Sequence, residues 1–103
     1  MAFQRVADAD AIGPGHVQVI EVDGQPIALC NVDGSVYAID DVCTHDDGPL
    51  DQGELDGAQI ECPRHGGRFD VRTGKATRLP AVMAVHRFTV EVRDGGIYLD
   101  ADS

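Results

Sequence analysis

Cys43-Thr44-His45 and Cys62-Pro63-Arg64-His65, with sixteen residues between them, place two cysteines and two histidines on two separate stretches of chain. Each stretch offers one sulfur and one nitrogen. That donor set suits an asymmetric [2Fe-2S] cluster, in which one iron takes two thiolates and the other two neutral imidazoles. The competing use of such a quartet is a structural zinc site, since Cys2His2 is a common tetrahedral set. The first pair is spaced by a single residue, closer than the two to four usual between zinc-binding cysteines. Ligands so close strain to grip one ion but reach neighbouring irons of one cluster. A zinc-stabilised interaction module is therefore the alternative of a different class, and metal content separates the two.

The flanking residues resemble the ligand loops of the Rieske family: Gly48-Pro49-Leu50 follows the first pair, and Gly66-Gly67-Arg68-Phe69-Asp70 follows the second. The resemblance runs over nearly the whole chain. It implies the all-β Rieske fold, a small antiparallel β-sandwich from which the two loops project as a cluster-binding subdomain. It also implies one Rieske-type [2Fe-2S] cluster, with Cys43 and Cys62 on the inner iron and His45 and His65 on the outer iron near the surface.

High-potential members of the family, in cytochrome bc complexes, carry a further cysteine in each loop, and these pair as a disulfide; here those positions hold Gly48 and Arg64. The same members place a serine after the His-Gly of the second loop and a tyrosine two residues later, whose hydroxyls hydrogen-bond to sulfur. This chain has Gly67 and Phe69. Donors to sulfur stabilise the extra electron of the reduced state, so their absence predicts a low potential, about −150 mV, at the bottom of the range for these centres. The resemblance thus points to the Rieske-type ferredoxins of bacterial ring-hydroxylating oxygenases. These are soluble carriers, not enzymes by themselves, that pass single electrons from an NAD(P)H-dependent flavoprotein reductase to a terminal non-haem iron oxygenase. The small subunit of assimilatory nitrite reductase is a second reading, although many of that group lack the ligands that this sequence keeps.

At 103 residues, with five aromatics and no tryptophan, the sequence predicts one domain, residues 1–103, whose modest core a bound cofactor would help to hold. Met1 to Ala11 has no basic region followed by an apolar stretch, and no segment approaches the ~18 apolar residues of a membrane span. A cytoplasmic, membrane-free protein is expected. A net charge of −10 argues against nucleic acid and anionic membranes as partners. The charges are uneven: Asp40 to Asp56 holds seven acids and no base, whereas Arg64, Arg68, Arg72, Lys75 and Arg78 are five of the eight bases. This predicts a bipolar docking face that orients the histidines toward reductase and oxygenase in turn. No glycine-rich nucleotide loop is present, and the sequence ends at Ser103 before any oxygenase domain.

Asp-Gly, which tolerates the positive φ angles of tight hairpins, occurs at Asp23-Gly24, Asp33-Gly34, Asp56-Gly57 and Asp94-Gly95, between runs rich in valine and isoleucine. Strands are predicted over about His16–Val22, Pro26–Asn31, Val36–Ile39, Gln59–Glu61, Ala84–Val92 and Gly96–Leu99, with a short one over Phe3–Val6. No window sustains a 3.6-residue apolar period, so at most one helical turn is expected, over Asp8–Ile12. Cys30, in the apolar run Ile27-Ala28-Leu29-Cys30, reads as a small buried hydrophobe. His86 alternates in phase with Phe88, Val90 and Val92 and is expected to pack inward, and His16 to be exposed; neither is assigned a ligand role.

Overall fold

The computed structural model describes residues 3–45 and 47–102. It holds ten strands: β1 (Phe3–Asp8), β2 (Val17–Val22), β3 (Gln25–Val32), β4 (Ser35–Asp40), β5 (Leu55–Asp56), β6 (Gln59–Glu61), β7 (Arg68–Asp70), β8 (Ala76–Arg78), β9 (Arg87–Arg93) and β10 (Gly96–Asp100). Six form one sheet in the order β1-β10-β9-β4-β3-β2, and the other four a small sheet in the order β5-β6-β7-β8. Every pairing is antiparallel. Among the described residues there is no helix: Asp8 ends β1, and the stretch 9–12, where the sequence suggests a helical turn, is turn and bend.

Four of the five Asp-Gly pairs are the hinges of this chain; the other, Asp47-Gly48, follows Cys43-Thr44-His45. At Asp23-Gly24, Asp33-Gly34 and Asp94-Gly95 both residues have positive φ, as in the type I′ turns whose twist matches that of paired strands. They close β2 onto β3, β3 onto β4 and β9 onto β10 through two-residue loops. At the fourth pair Asp56 is the last residue of β5, and only Gly57 takes a positive φ, the pattern of a type II′ turn through Gly57-Ala58.

The continuous apolar run Ile27–Cys30 is explained by two cores that share one wall. Ile27 and Leu29 face one cluster with Ala38, Phe88, Ile97 and Leu99. Ala28 and Cys30, on the opposite face of β3, join Ile39, Leu50, Ile60 and Phe69 in the second, which also contains Cys43 and Cys62. A strand buried on both sides shows no alternation of apolar and polar residues. The second core therefore fixes the base of both ligand loops to the main sheet.

The sequence reading departs from the structure at the ends of strands and in the small sheet. Ala84–His86 lies outside β9, which begins at Arg87. His86 is exposed, its ring resting edge-on against Phe88 with centroids 4.6 Å apart. His86 therefore does not pack inward as the sequence suggests, because β9 runs off the core at both ends: Phe88 is buried, whereas Val92 is 51% exposed. Strands β5, β7 and β8, two or three residues each, were not expected, because so short a segment carries no readable period.

Candidate metal centre

The two ligand stretches are built on one backbone pattern. In the first, the Cys43 amide donates to the Gly48 carbonyl at 2.7 Å and the Asp47 amide to the Cys43 carbonyl at 2.8 Å. In the second, the Cys62 amide donates to the Gly67 carbonyl at 2.6 Å and the Gly66 amide to the Cys62 carbonyl at 3.0 Å. Four residues after each cysteine the chain takes a left-handed angle, φ 61° at Asp47 and φ 78° at Gly66. Each turn curls the chain around its cysteine and satisfies the backbone groups that burial would otherwise strand.

Cys43 and Cys62 are buried, while His45 and His65 are exposed with ring centroids 5.2 Å apart at an interplanar angle of 83°. The two imidazoles thus meet at the surface, and the two thiols lie together in the second core. His16 and His86 are not among them. No disulfide joins the cysteines. Among the described residues, no three of His, Cys, Asp or Glu are set to hold a single ion. The quartet is laid out as a thiol end and an imidazole end, which fits a two-iron cluster with unlike irons better than a tetrahedral cage for zinc.

Several supports escaped the sequence reading. The Asp51 amide donates to Asp41 Oδ1 at 2.7 Å, closing the base of the first loop. Burial, then the neighbouring Asp51 carboxyl, pushes Asp41 up to about 6. Gly53 is required by space, because a Cβ there would meet the Glu61 carbonyl oxygen at 1.7 Å, beside Cys62. A third loop, residues 79–85, caps both others: Thr44 Oγ1 donates to the Met83 carbonyl at 2.7 Å, and Ala81 lies against Gly67. No local pattern announces these contacts.

The charge reading is also revised. Arg68 reaches Glu61 at 3.0 Å and Asp56 at 3.1 Å, and Arg78 approaches Glu61 at 3.7 Å. Hydrogen bonds to Glu61 first, then Asp56, hold the Arg68 guanidinium above the ordinary arginine range. Arg72 pairs with Asp70 at 2.9 Å and holds its carboxyl below the usual carboxylate range. Three arginines of the basic run thus pair within the small sheet with Asp56, Glu61 and Asp70, and of the acidic run Asp56 alone is seen in these ion pairs among the described residues. Asp46, one of the acids assigned to that face, lies outside the described residues.

The family model of the Rieske [2Fe-2S] domain matches residues 2–89. The ferredoxin component of the naphthalene 1,2-dioxygenase system of Pseudomonas putida is 38% identical over 98 residues, 95% of this chain and 93% of that one. The ferredoxin of carbazole 1,9a-dioxygenase from Nocardioides aromaticivorans IC177 superposes with a TM-score of 0.91 at 40% identity, covering 96% of this chain and 97% of that one. A chain from the complex of reduced oxygenase and oxidized ferredoxin in carbazole 1,9a-dioxygenase gives 0.89 at 38% identity, covering 94% and 91%. A putative small subunit of nitrite reductase shares the fold, with a TM-score of 0.83, at only 18% identity. Identity near two fifths, sustained along a fold that superposes almost end to end, is a likeness of whole proteins: the chain belongs to the Rieske [2Fe-2S] family, with the ferredoxins of ring-hydroxylating dioxygenase systems.

Proposed function

We propose that this protein carries single electrons from an NAD(P)H-dependent flavoprotein reductase to a terminal Rieske non-haem iron oxygenase, with Cys43, His45, Cys62 and His65 holding its cluster. The observation that carries the reading is the polarity of the site: two buried thiols beneath two exposed imidazoles, on a chain whose relatives are ferredoxin components of dioxygenases. The bound cluster supplies a one-electron couple. Cys43 and Cys62 anchor it in the core shared with the main sheet, which excludes water from the sulfur side. His45 and His65 bring its other side to the surface, so a partner needs only to touch the tip. Among the described residues no helix is long and apolar enough to cross a membrane, in keeping with a carrier that diffuses between partners.

Anaerobic mixing tests the reading. The cluster-loaded protein, reduced with dithionite, is mixed with the terminal oxygenases of the naphthalene, biphenyl and carbazole systems, and its reoxidation is followed by absorbance. Electron delivery to at least one of them, together with reduction by a flavoprotein reductase and NADH or NADPH, is expected. Delivery to none, or stable association with a sirohaem protein instead, favours the nitrite reductase reading.

A further inference from the structure

Large apolar side chains left in water cluster at one place on this protein. Leu79 is 73% exposed, Val82 74% and Met83 67%, all on the loop that caps the two ligand stretches. Single exposed hydrophobics are ordinary on a protein surface, but three within five residues are a patch, and patches rimmed by polar residues mark interaction sites. The loop is not loose. Ala81 is buried in the core that contains both cysteines, Val85 is buried beside it, and Thr44, between Cys43 and His45, holds the Met83 carbonyl. The anchoring presents Leu79, Val82 and Met83 as a fixed ridge next to the exposed histidines. Pro49 and Pro63, one in each ligand stretch, are exposed as well.

The charges around this ridge are poorly suited to decide docking by themselves. Arg68 and Arg78 are already engaged by the chain's own Glu61 and Asp56, and exposed pairs contribute little and are screened by salt. An apolar centre with a mixed polar rim is instead the usual anatomy of a protein–protein interface.

We infer that Leu79, Val82 and Met83 form the apolar docking ridge on which a terminal oxygenase seats when it takes an electron from the tip. This rests on the carrier reading above. The occupant is an oxygenase because the electron leaves through His45 and His65, which the ridge adjoins, and because a relative 38% identical to this chain occurs in a complex of oxygenase and ferredoxin. The ridge sets affinity for the oxygenase, so that affinity depends only weakly on salt.

The test uses the cluster-loaded protein and whichever of the three oxygenases the wild type reduces fastest. Val82→Ser with Met83→Ser is expected to lower the affinity at least tenfold while leaving the visible spectrum and the potential unchanged. Met83→Leu, which keeps an apolar side chain, should bind like the wild type, and so should Val92→Ser, on the main sheet. Wild-type affinity should change less than tenfold between ~0.05 M and ~0.5 M salt, a range over which screening becomes severe. If the wild type reduces none of the oxygenases, the carrier reading itself falls. If it reduces one and the double variant binds as tightly, the ridge is not the docking site. Slower electron uptake from the reductase with unchanged oxygenase affinity would assign the ridge to the reductase, and wild-type dimers that the double variant abolishes would assign it to a second copy; either overturns the inference. Should the double variant lose its cluster, Leu79→Ser alone, read in the same way, decides the matter.

Discussion

A β-carbon added to Gly67 would lie 3.0 Å from the Cβ of Ala81 and 3.1 Å from its backbone nitrogen. The capping loop therefore fills the space through which a side chain at position 67 would enter the second ligand stretch. Gly67 is not among the residues with positive φ, so it is space and not backbone angle that resists a larger residue: Ala81 would have to give by a few tenths of an ångström. Gly67→Ser alone is expected to lower cluster occupancy. Ala81→Gly relieves the side-chain part of this crowding, leaving the backbone contact at 3.1 Å, and the fully occupied Gly67→Ser/Ala81→Gly protein should have a potential raised by tens of millivolts if the hydroxyl reaches sulfur, where ~59 mV corresponds to about 1.4 kcal/mol. Voltammetry of the double variant checks this. An unchanged potential at full occupancy contradicts the argument from missing hydrogen-bond donors.

Gly53→Ala should be far more damaging than its size suggests. The new methyl would overlap the Glu61 carbonyl, 1.7 Å away, and backbone cannot swing aside as a flexible side chain can. A loss of about 3 kcal/mol or more is expected, at the upper end for an overpacked site. Gly66→Ala has open space and only a φ of 78° to resist it, so about 1–2 kcal/mol is expected there, and less for Gly66→Asn. Thermal melts of the three variants should rank in that order.

Replacing His45 or His65 by alanine should abolish the Rieske absorption spectrum, since each removes one of the four proposed donors. His16→Ala and His86→Ala should keep it, as both lie away from the tip. Nitrogen couplings in the magnetic resonance of the reduced protein should survive only in the latter pair.

Cys30 should be inert. Burial, reinforced by the charge of Asp41, pushes its thiol up from 9.0 to about 12, so it stays protonated and shielded at pH 8. Iodoacetamide should leave it unmodified in the folded holoprotein and label it on unfolding. The folded protein holds this proton more tightly than the unfolded chain does, so the associated stability is fully present below about pH 9 and is lost as pH rises toward 12. Cys30→Val should flatten that alkaline loss in a melting series.

Asp70 gives the opposite slope. Its carboxyl, pulled down chiefly by the Arg72 hydrogen bond, contributes stability that is present above the usual carboxylate range and lost as pH falls through its lowered folded value. Asp70→Asn should cost about 0.5–1 kcal/mol at neutral pH and reduce the acid sensitivity of the melting temperature.

The sequence by itself determined the Cys/His quartet that we propose as the cluster ligands, the all-β class and the hairpin turns, because spacing, alternation and turn chemistry act within a few residues. Cys43-Thr44-His45 and Cys62-Pro63-Arg64-His65 could be read directly, and the apolar run Ile27–Cys30 marked a strand with a buried cysteine, whereas its burial on both faces came from the structure. Tertiary structure alone decided which distant backbones close on the site: Ala81 on Gly67, Glu61 on Gly53, Met83 on Thr44. It also decided that Arg68 and Arg78 meet Asp56 and Glu61 across the small sheet. Such contacts join residues whose separation is set by strand register and loop closure, and neither leaves a mark on the residues that lie between them.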